Sequence, residues 1–247
     1  MAARIAILTA VRQELAPLAR RLRPCRTAPP RPRYFFSLSG AVAGVEVVLC
    51  AGGVGPTRAA EATVEILDVW TPDLLLVAGV AGALDPALRI ADIVAADQLL
   101  GPAPAPPPGT VPAPVGDLHS YHRGALLSLD RVLVSPDEKQ AARASALPAV
   151  PLAVEMETAG AVRIAVERSI PWAAVRAVSD TSADTLPLDF NRLRDPDGDL
   201  PTTRVAMAAL AQPTSIAGLL RLGRNTSLAA EALAEFLIGW LAQPPER

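Results

Sequence analysis

The stretch from Leu152 to Asp180, LAVEMETAGAVRIAVERSIPWAAVRAVSD, decides the fold class. Leu152 to Met156 is a short apolar run that reads as a strand. It feeds a helix over Glu157 to Ser169, and Trp172 to Val178 is a second strand that ends in Ser179-Asp180. A strand, a helix and a strand in succession form the unit of an α/β layered protein.

The same alternation extends outward. Arg4 to Val11 reads as a buried first strand and Gln13 to Leu22 as a helix. Tyr34 to Ser39 and Val45 to Cys50 read as strands joined by a turn over Gly40 to Gly44. Ala51-Gly52-Gly53-Val54-Gly55-Pro56 then lets the backbone turn sharply and approach a ligand, and Pro56 fits the first turn of a helix over Thr57 to Trp70. Asp73 to Ala78 reads as a strand ending in Gly79-Val80-Ala81-Gly82, and Asp92 to Ala96 and Arg131 to Val134 as further strands. Asp137 to Ala146 reads as a helix, and the chain from about Thr202 onward is helical with Pro and Gly breaks. In its last helix Glu231 and Glu235 share one face while Leu233, Leu237 and Leu241 share another. Gly101 to Gly116 is dominated by Pro and Ala, which excludes a helix or a central strand; it reads as a long surface loop placed to cover one end of a substrate. The expected architecture is α/β, one domain over residues 1–247, with a central mixed β-sheet flanked by helices and a helical segment over 202–242.

Composition narrows the function. The chain is 51% hydrophobic and only 4% aromatic, so its core is filled mostly by Ala, Val, Leu and Ile. A net charge of −2 provides no basic field for nucleic acid. Cys25 and Cys50 lack metal-site spacing and read as free thiols, with Cys50 in the core. The first residues lack a signal-peptide pattern and no run reaches the ~18–20 apolar residues of a membrane span. The expected location is the cytoplasm, without stable membrane insertion.

In open α/β sheets, ligands gather beyond the carboxyl ends of strands. Glu14, Gly53, Gly79 to Gly82, Glu155 to Glu157 and Ser179-Asp180 all fall at such ends. No Ser/His/Asp triad, nucleophile elbow or phosphate-binding loop of the Walker type is present, and the two histidines, His119 and His122, border the Pro-rich loop. The chemistry therefore rests on carboxylates, hydroxyls and backbone. Taken singly, each carboxylate past a strand has an ordinary reading as a helix cap or dipole partner.

Six blocks in order carry a resemblance: Ile5 to Leu15 (IAILTAVRQEL), Gly52 to Ala59 (GGVGPTRA), Val77 to Leu84 (VAGVAGAL), Ala91 to Val94 (ADIV), Ala153 to Ala159 (AVEMETA) and Val175 to Asp184 (VRAVSDTSAD). Together they resemble the superfamily of purine nucleoside phosphorylases and methylthioadenosine/S-adenosylhomocysteine nucleosidases. The resemblance implies cleavage of the N-glycosidic bond of a purine nucleoside, adenine being the expected base. It implies that Glu157 grips the ribose hydroxyls with Met156 packed on the sugar. Asp180 hydrogen-bonds the purine N7, with Ser179 beside it, and Glu14 activates the attacking water. Gly53, Val80, Gly82 and Glu155 complete the expected substrate contacts, Glu155 in a supporting role. No metal or redox cofactor is implied, only phosphate as a co-substrate if the enzyme is a phosphorylase. A homodimer or higher homo-oligomer is expected.

The roles make chemical sense. Proton donation to N7 neutralises a poor leaving group, which is general acid catalysis worth ~10²–10⁴-fold. Burial beside an apolar base pocket is the expected means of keeping Asp180 protonated. The ribose becomes oxocarbenium-like, a charge that Glu157 favours. Two features depart from the pattern. Val80 stands where many members carry Ser or Thr, which weakens a phosphate site, so hydrolysis is favoured over phosphorolysis. Ser135-Pro136-Asp137-Glu138-Lys139-Gln140 replaces a segment that carries an aromatic over the base in the methylthioadenosine branch. That leaves open a branch that acts on a lipid-linked, hopanoid-type adenosine, and a non-catalytic nucleoside-binding protein on the same fold.

Overall fold

The computed structural model describes residues 3–24, 36–102, 106–111, 120–146, 151–195 and 200–243. Nine strands form one mixed sheet. They are β1 (Arg4–Thr9), β2 (Arg23–Pro24), β3 (Phe36–Val42), β4 (Val45–Ala51), β5 (Leu74–Ala83), β6 (Ile93–Leu100), β7 (Tyr121–Ser128), β8 (Leu152–Glu155) and β9 (Trp172–Asp180). Their order is β2-β3-β4-β1-β5-β8-β7-β6-β9. Because β9 pairs with β5 as well as with β6, the half from β5 to β9 closes on itself. β1 is parallel to β4 and β5, and β5 is parallel to β9, whereas β3–β4, β5–β8 and β6–β9 are antiparallel.

The described residues form six α-helices: α1 (Arg12–Ala19), α2 (Pro56–Val69), α3 (Pro136–Ala144), α4 (Thr158–Glu167), α5 (Thr202–Ala211) and α6 (Ile216–Leu241). The side chains of β1 alternate as a pleated strand requires. Ile5 and Ile7 pack with Leu15 and Leu18 of α1 and Leu233, Phe236 and Leu237 of α6. Ala6 and Leu8 pack on the opposite face with Ala59, Ala62 and Ile66 of α2 and Ala161, Val162 and Ala165 of α4. Both faces are covered, which explains why the strands read as nearly continuous apolar runs. Cys50 is buried in the second layer as a free thiol, while Cys25 lies outside the described residues. Leu233, Leu237 and Leu241 are buried as their spacing requires, and Glu231 bonds Arg20 and Arg21 in the turn after α1. Among the described residues, no single helix is long and apolar enough to cross a membrane.

Three expectations about elements are corrected. First, Arg131 to Val134 is not a strand. Its peptide groups bond side chains and loops instead: Val132 N–H and C=O both pair with the Asn191 amide, Val134 N–H donates to Glu138, and Val134 C=O accepts from Leu186 N–H. Second, β7 is a strand that sequence reasoning missed. It lies parallel between β6 and β8, and it is built around small and unbranched residues (Gly124, Ala125, Leu126) with weak strand preference. Third, β5 does not stop at Ala78 but runs through Gly79-Val80-Ala81-Gly82. The glycines serve close approach rather than a turn. A Cβ at Gly79, whose φ is +151°, would lie 2.5 Å from an Arg176 guanidinium nitrogen, and one at Gly82 would lie 2.9 Å from Asp180 Oδ2.

Of the Pro-rich loop, residues 103–105 and 112–116 lie outside the described part. Gly109 N–H bonds Trp172 C=O at the start of β9, and Val111 is buried against the α1–α6 layer. This portion therefore sits at the end of β9 opposite Ser179-Asp180.

The α2–α4 crossing is set by a glycine. A Cβ on Gly160 would come within 1.9 Å of the Pro56 carbonyl oxygen. Gly160→Ala is expected to lose about 1–3 kcal/mol of stability through overpacking. A lowered urea midpoint checks this, and an unchanged midpoint would remove the glycine from its packing role.

Candidate active site

The ends of β1, β8 and β9 and the middle of β5 converge on one cavity of about 230 Å³. Small-molecule sites usually run ~300–1,000 Å³, so this one suits a compact ligand. Its walls include Glu14, Val80, Gly82, Glu155, Met156, Glu157, Ser179 and Asp180. Eight of the nine residues expected at the site are thus brought together. Gly53 is not in the wall; it donates its N–H to Ala10 C=O, and Val54 faces the cavity instead. Arg131, Val132, Leu133, Val154 and Leu186 supply an otherwise apolar side.

Glu14 reaches the cavity from the first turn of α1. Oε2 accepts from the amides of Ala10 (3.0 Å) and Val11 (3.1 Å), and Oε1 accepts from Val80 N–H at 3.0 Å. Val80 thus contributes its backbone donor, which no side-chain argument would find. Burial drives the Glu14 carboxyl above the usual carboxylate range, against the pull of these amides and of Arg176.

Arg176, in the middle of β9, was not assigned a role from sequence. It is 0% exposed. Its guanidinium pairs with Glu155 and lies 3.4 Å from Glu157, with the Ala78 carbonyl also in reach. Burial opposes its charge, but Glu155, Glu157 and Glu14 outweigh that and hold it charged. An alternating strand points Arg176, Val178 and Asp180 to one face, yet an arginine in an apolar run resembles a strand-end interruption, so sequence gave little signal.

Glu155 is committed to local structure. Its Oε2 accepts from Glu157 N–H (3.0 Å), Thr158 N–H (2.8 Å), the Thr158 hydroxyl (2.7 Å) and Arg176. These contacts satisfy the free amides that open α4, where negative charge is favoured. They also fix Glu157, which caps α4 and accepts from Gly55 N–H at 3.0 Å. Burial pushes Glu157 up to about 7; Arg176 opposes this, Glu155 and Glu14 add to it, and the Gly55 amide opposes it.

Ser179 Oγ lies 2.9 Å from Asp180 Oδ1 and 3.2 Å from Ala81 C=O. The other oxygen, Oδ2, accepts from Lys139 Nζ at 2.6 Å. Lys139 projects from α3, whose Ser135 and Glu138 form a capping box. The expectation of a carboxyl held only among apolar neighbours is therefore corrected: a buried ammonium stands beside Asp180. Lys139 was missed because a lysine in a polar helical segment ordinarily faces water. Two other sequence features fall elsewhere. Arg58 pairs with Glu61 on α2, and His122 lies 3.2 Å from Asp92. Among the described residues, no three His, Cys, Asp or Glu side chains are grouped to hold a metal ion.

The cavity thus has two electrostatic halves. One holds Glu14, Glu155 and Glu157 around a single arginine. The other holds Asp180 with Ser179 and Lys139 beside apolar walls. The first can stabilise a developing cation and activate water; the second can hold and protonate a heterocycle nitrogen.

Comparison with known proteins bears on the family and the fold. The sequence profile of the phosphorylase superfamily matches residues 4–208. A 5'-methylthioadenosine/S-adenosylhomocysteine nucleosidase of Aeromonas salmonicida is 30% identical over 201 residues, covering 72% of this chain and 86% of that protein. The nucleosidase of the same description from Geobacillus kaustophilus is 27% identical over 214 residues, 76% of this chain and 88% of that one. Among solved structures, the S-adenosylhomocysteine nucleosidase of Streptococcus pyogenes superposes with a TM-score of 0.71 at 18% identity, over 99% of this chain and 98% of that one. The futalosine hydrolase of Helicobacter pylori superposes with a TM-score of 0.67 at 18% identity, over 97% of each chain. The two structural likenesses bear on the fold.

Arg176→Met leaves three buried carboxylates without their cation, and the loss of one partner from a buried ion pair costs about 3–5 kcal/mol. The deficit is expected to shrink in acid. Glu157 has a folded value of about 7, raised from 4.5, so its protonated folded form gives stability that is present below pH 4.5 and lost as pH rises through about 7. Urea unfolding of both proteins at pH 5 and pH 8 checks this; equal deficits at the two pH values would refute the charge account.

Proposed function

Because the chain belongs to the phosphorylase superfamily, we propose that it cleaves the N-glycosidic bond of an adenine nucleoside by hydrolysis. The single observation that carries hydrolysis is the charge of the sugar half, with Glu14, Glu155 and Glu157 gathered around one arginine that they already occupy. Such a surface repels a phosphate dianion and attracts an oxocarbenium-like sugar. Val80 adds a backbone donor there but no hydroxyl, and that donor is used by Glu14.

In the proposed reaction Glu157 accepts from the ribose hydroxyls and Met156 packs on the sugar. Glu14, held at both oxygens by amides, removes a proton from the attacking water as its oxygen bonds to the anomeric carbon. Asp180 meets purine N7, with Val132, Leu133 and Leu186 as base walls in place of an aromatic platform. Only side chains and water take part, so no metal or redox cofactor is proposed. The nucleosidases that match the sequence are described by 5'-methylthioadenosine and S-adenosylhomocysteine. We take a 5'-substituted adenosine of this kind as the substrate class.

We also propose a homo-oligomer in the cytoplasm. An apolar hollow of about 530 Å³ lies between α2 and α4, lined by Pro56, Ala60, Val64, Ala159 and Val166 among others, and Val69 and Val166 are exposed at its helices' ends. A second copy packing there would cover them. Light scattering is expected to give a mass of at least twice the monomer; a monomer at micromolar concentration would overturn this.

Purified protein is expected to release free adenine and free sugar from 5'-methylthioadenosine or adenosine without phosphate. Sugar 1-phosphate formed only when phosphate is added would overturn hydrolysis. Asp180→Asn is expected to lower kcat by ~10²–10⁴-fold, the size of a general-acid term, with a much smaller change in KM. Near-normal turnover would remove Asp180 from the acid role. As burial raises Glu157 to about 7 and Glu14 above the usual carboxylate range, the acid limb of kcat/KM is expected to lie above that range.

A further inference from the structure

We propose that Lys139 is the positioning residue of the base half and the reservoir of the proton that Asp180 hands to the leaving purine. The inference rests on the reading of Asp180 as the group that meets N7. Its own foundation is geometric. Lys139 is 1% exposed, and its Nζ donates to Asp180 Oδ2 at 2.6 Å, Thr181 C=O at 2.7 Å and Asp184 C=O at 3.2 Å. An ammonium has three donors, and all three are used. The side chain is thus fixed, dry, and aimed at the one carboxylate oxygen that Ser179 does not touch.

An ammonium–carboxylate pair carries one proton more than the carboxylate alone and is neutral as a unit. As the glycosidic bond breaks, its electron pair stays on the base. A proton passes from Lys139 Nζ to Asp180 Oδ2 and from there to N7. Lys139 ends as a neutral amine, Asp180 as a carboxylate accepting from N7–H, and the base leaves neutral. After release of the base, a proton from solvent returns to Nζ through the Asp180 carboxylate.

The surrounding charges are otherwise engaged. On α3, Glu138 turns back to the amides of Val134 and Ser135, and Arg143 pairs with Asp85. In the turn after β9, the Asp184 carboxylate accepts from Thr181 and faces Arg221 of α6 at 3.7 Å. Across the cavity, Glu155 and Glu157 face Arg176, and Glu14 is held by the amides of Ala10, Val11 and Val80.

The test is kcat/KM from pH 5 to pH 10 for the wild type and Lys139→Met, with adenine release as the readout. Without the ammonium, the only proton on the base side is that of the Asp180 carboxyl, and a carboxyl loses its proton at lower pH than an amine. The wild type is expected to keep its activity past pH 8. The alkaline limb of Lys139→Met is expected to move down by at least one pH unit. The variant then loses roughly ten-fold more at pH 8.5 than at pH 5.5, relative to wild type. A loss of the same factor at every pH means a purely structural role and overturns the relay. Circular dichroism reports whether the variant is folded. If it is not, the wild-type profile decides alone, because an alkaline limb below pH 7 is that of a carboxyl acting without the lysine. A wild type that releases no base from adenosine or 5'-methylthioadenosine overturns the nucleosidase reading and the relay with it. An active wild type with a uniformly scaled variant overturns the relay only.

Discussion

The buried Arg176–Glu155 ion pair is the constraint on which the site depends. Taking both charges out of water is expensive, and further hydrogen bonds to the pair offset part of that cost. Here Glu155 receives two backbone amides and a hydroxyl at the start of α4, and Arg176 also faces Glu157 and the Ala78 carbonyl. One guanidinium therefore ties β9, β5, β8 and the first turn of α4 together. Gly79 follows from it, since any side chain there would occupy the guanidinium's space. So does the position of Glu157, whose own amide is held by Glu155.

The pair also sets the chemistry of the sugar half. Three carboxylates around one cation are under-neutralised, which is why burial and mutual repulsion raise Glu157 to about 7. That surplus of negative charge is relieved most fully when a positive charge forms between the carboxylates, as it does when a glycosidic bond breaks. Preorganised charge of this type acts without reorganisation at the moment of reaction. The opposite half is arranged by the reverse logic, with one carboxylate and one ammonium making a neutral unit beside apolar walls.

Much of this was legible in the sequence. The strand–helix–strand unit over 152–180, the hairpin of β3 and β4, the helix after Pro56 and the paired faces of α6 follow from period and punctuation. Glu14, Glu157, Asp180 and their neighbours sit where strand ends predict a ligand, and they line one cavity. The failures share a cause: each involves a contact between residues distant in sequence. Gly79 and Gly82 read as the end of a strand because nothing local reveals that Arg176 and Asp180 pass over them. Arg131 to Val134 reads as a strand because its apolar pattern is right, yet its partner is a side chain 59 positions away. Lys139 reads as solvated because its carboxylate partner lies 41 positions downstream. Strand β7 is specified by its neighbours on both sides more than by its own residues.

The Asn191 clip on Val132 has a consequence for selectivity. Val132 and Leu133 line the cavity, and they are fixed not to the sheet but to a segment beyond β9, through both hydrogen bonds of one amide and through the packing of Val132 and Val134 against Leu186, Leu188 and Phe190. The carboxylates and Arg176, in contrast, are anchored in the sheet and at its helix ends. The wall formed by Val132 and Leu133 is therefore held by a different part of the chain from the carboxylates around Arg176. A change at residue 191, which lines no part of the cavity, can reshape that wall while the Arg176 cluster stays in place.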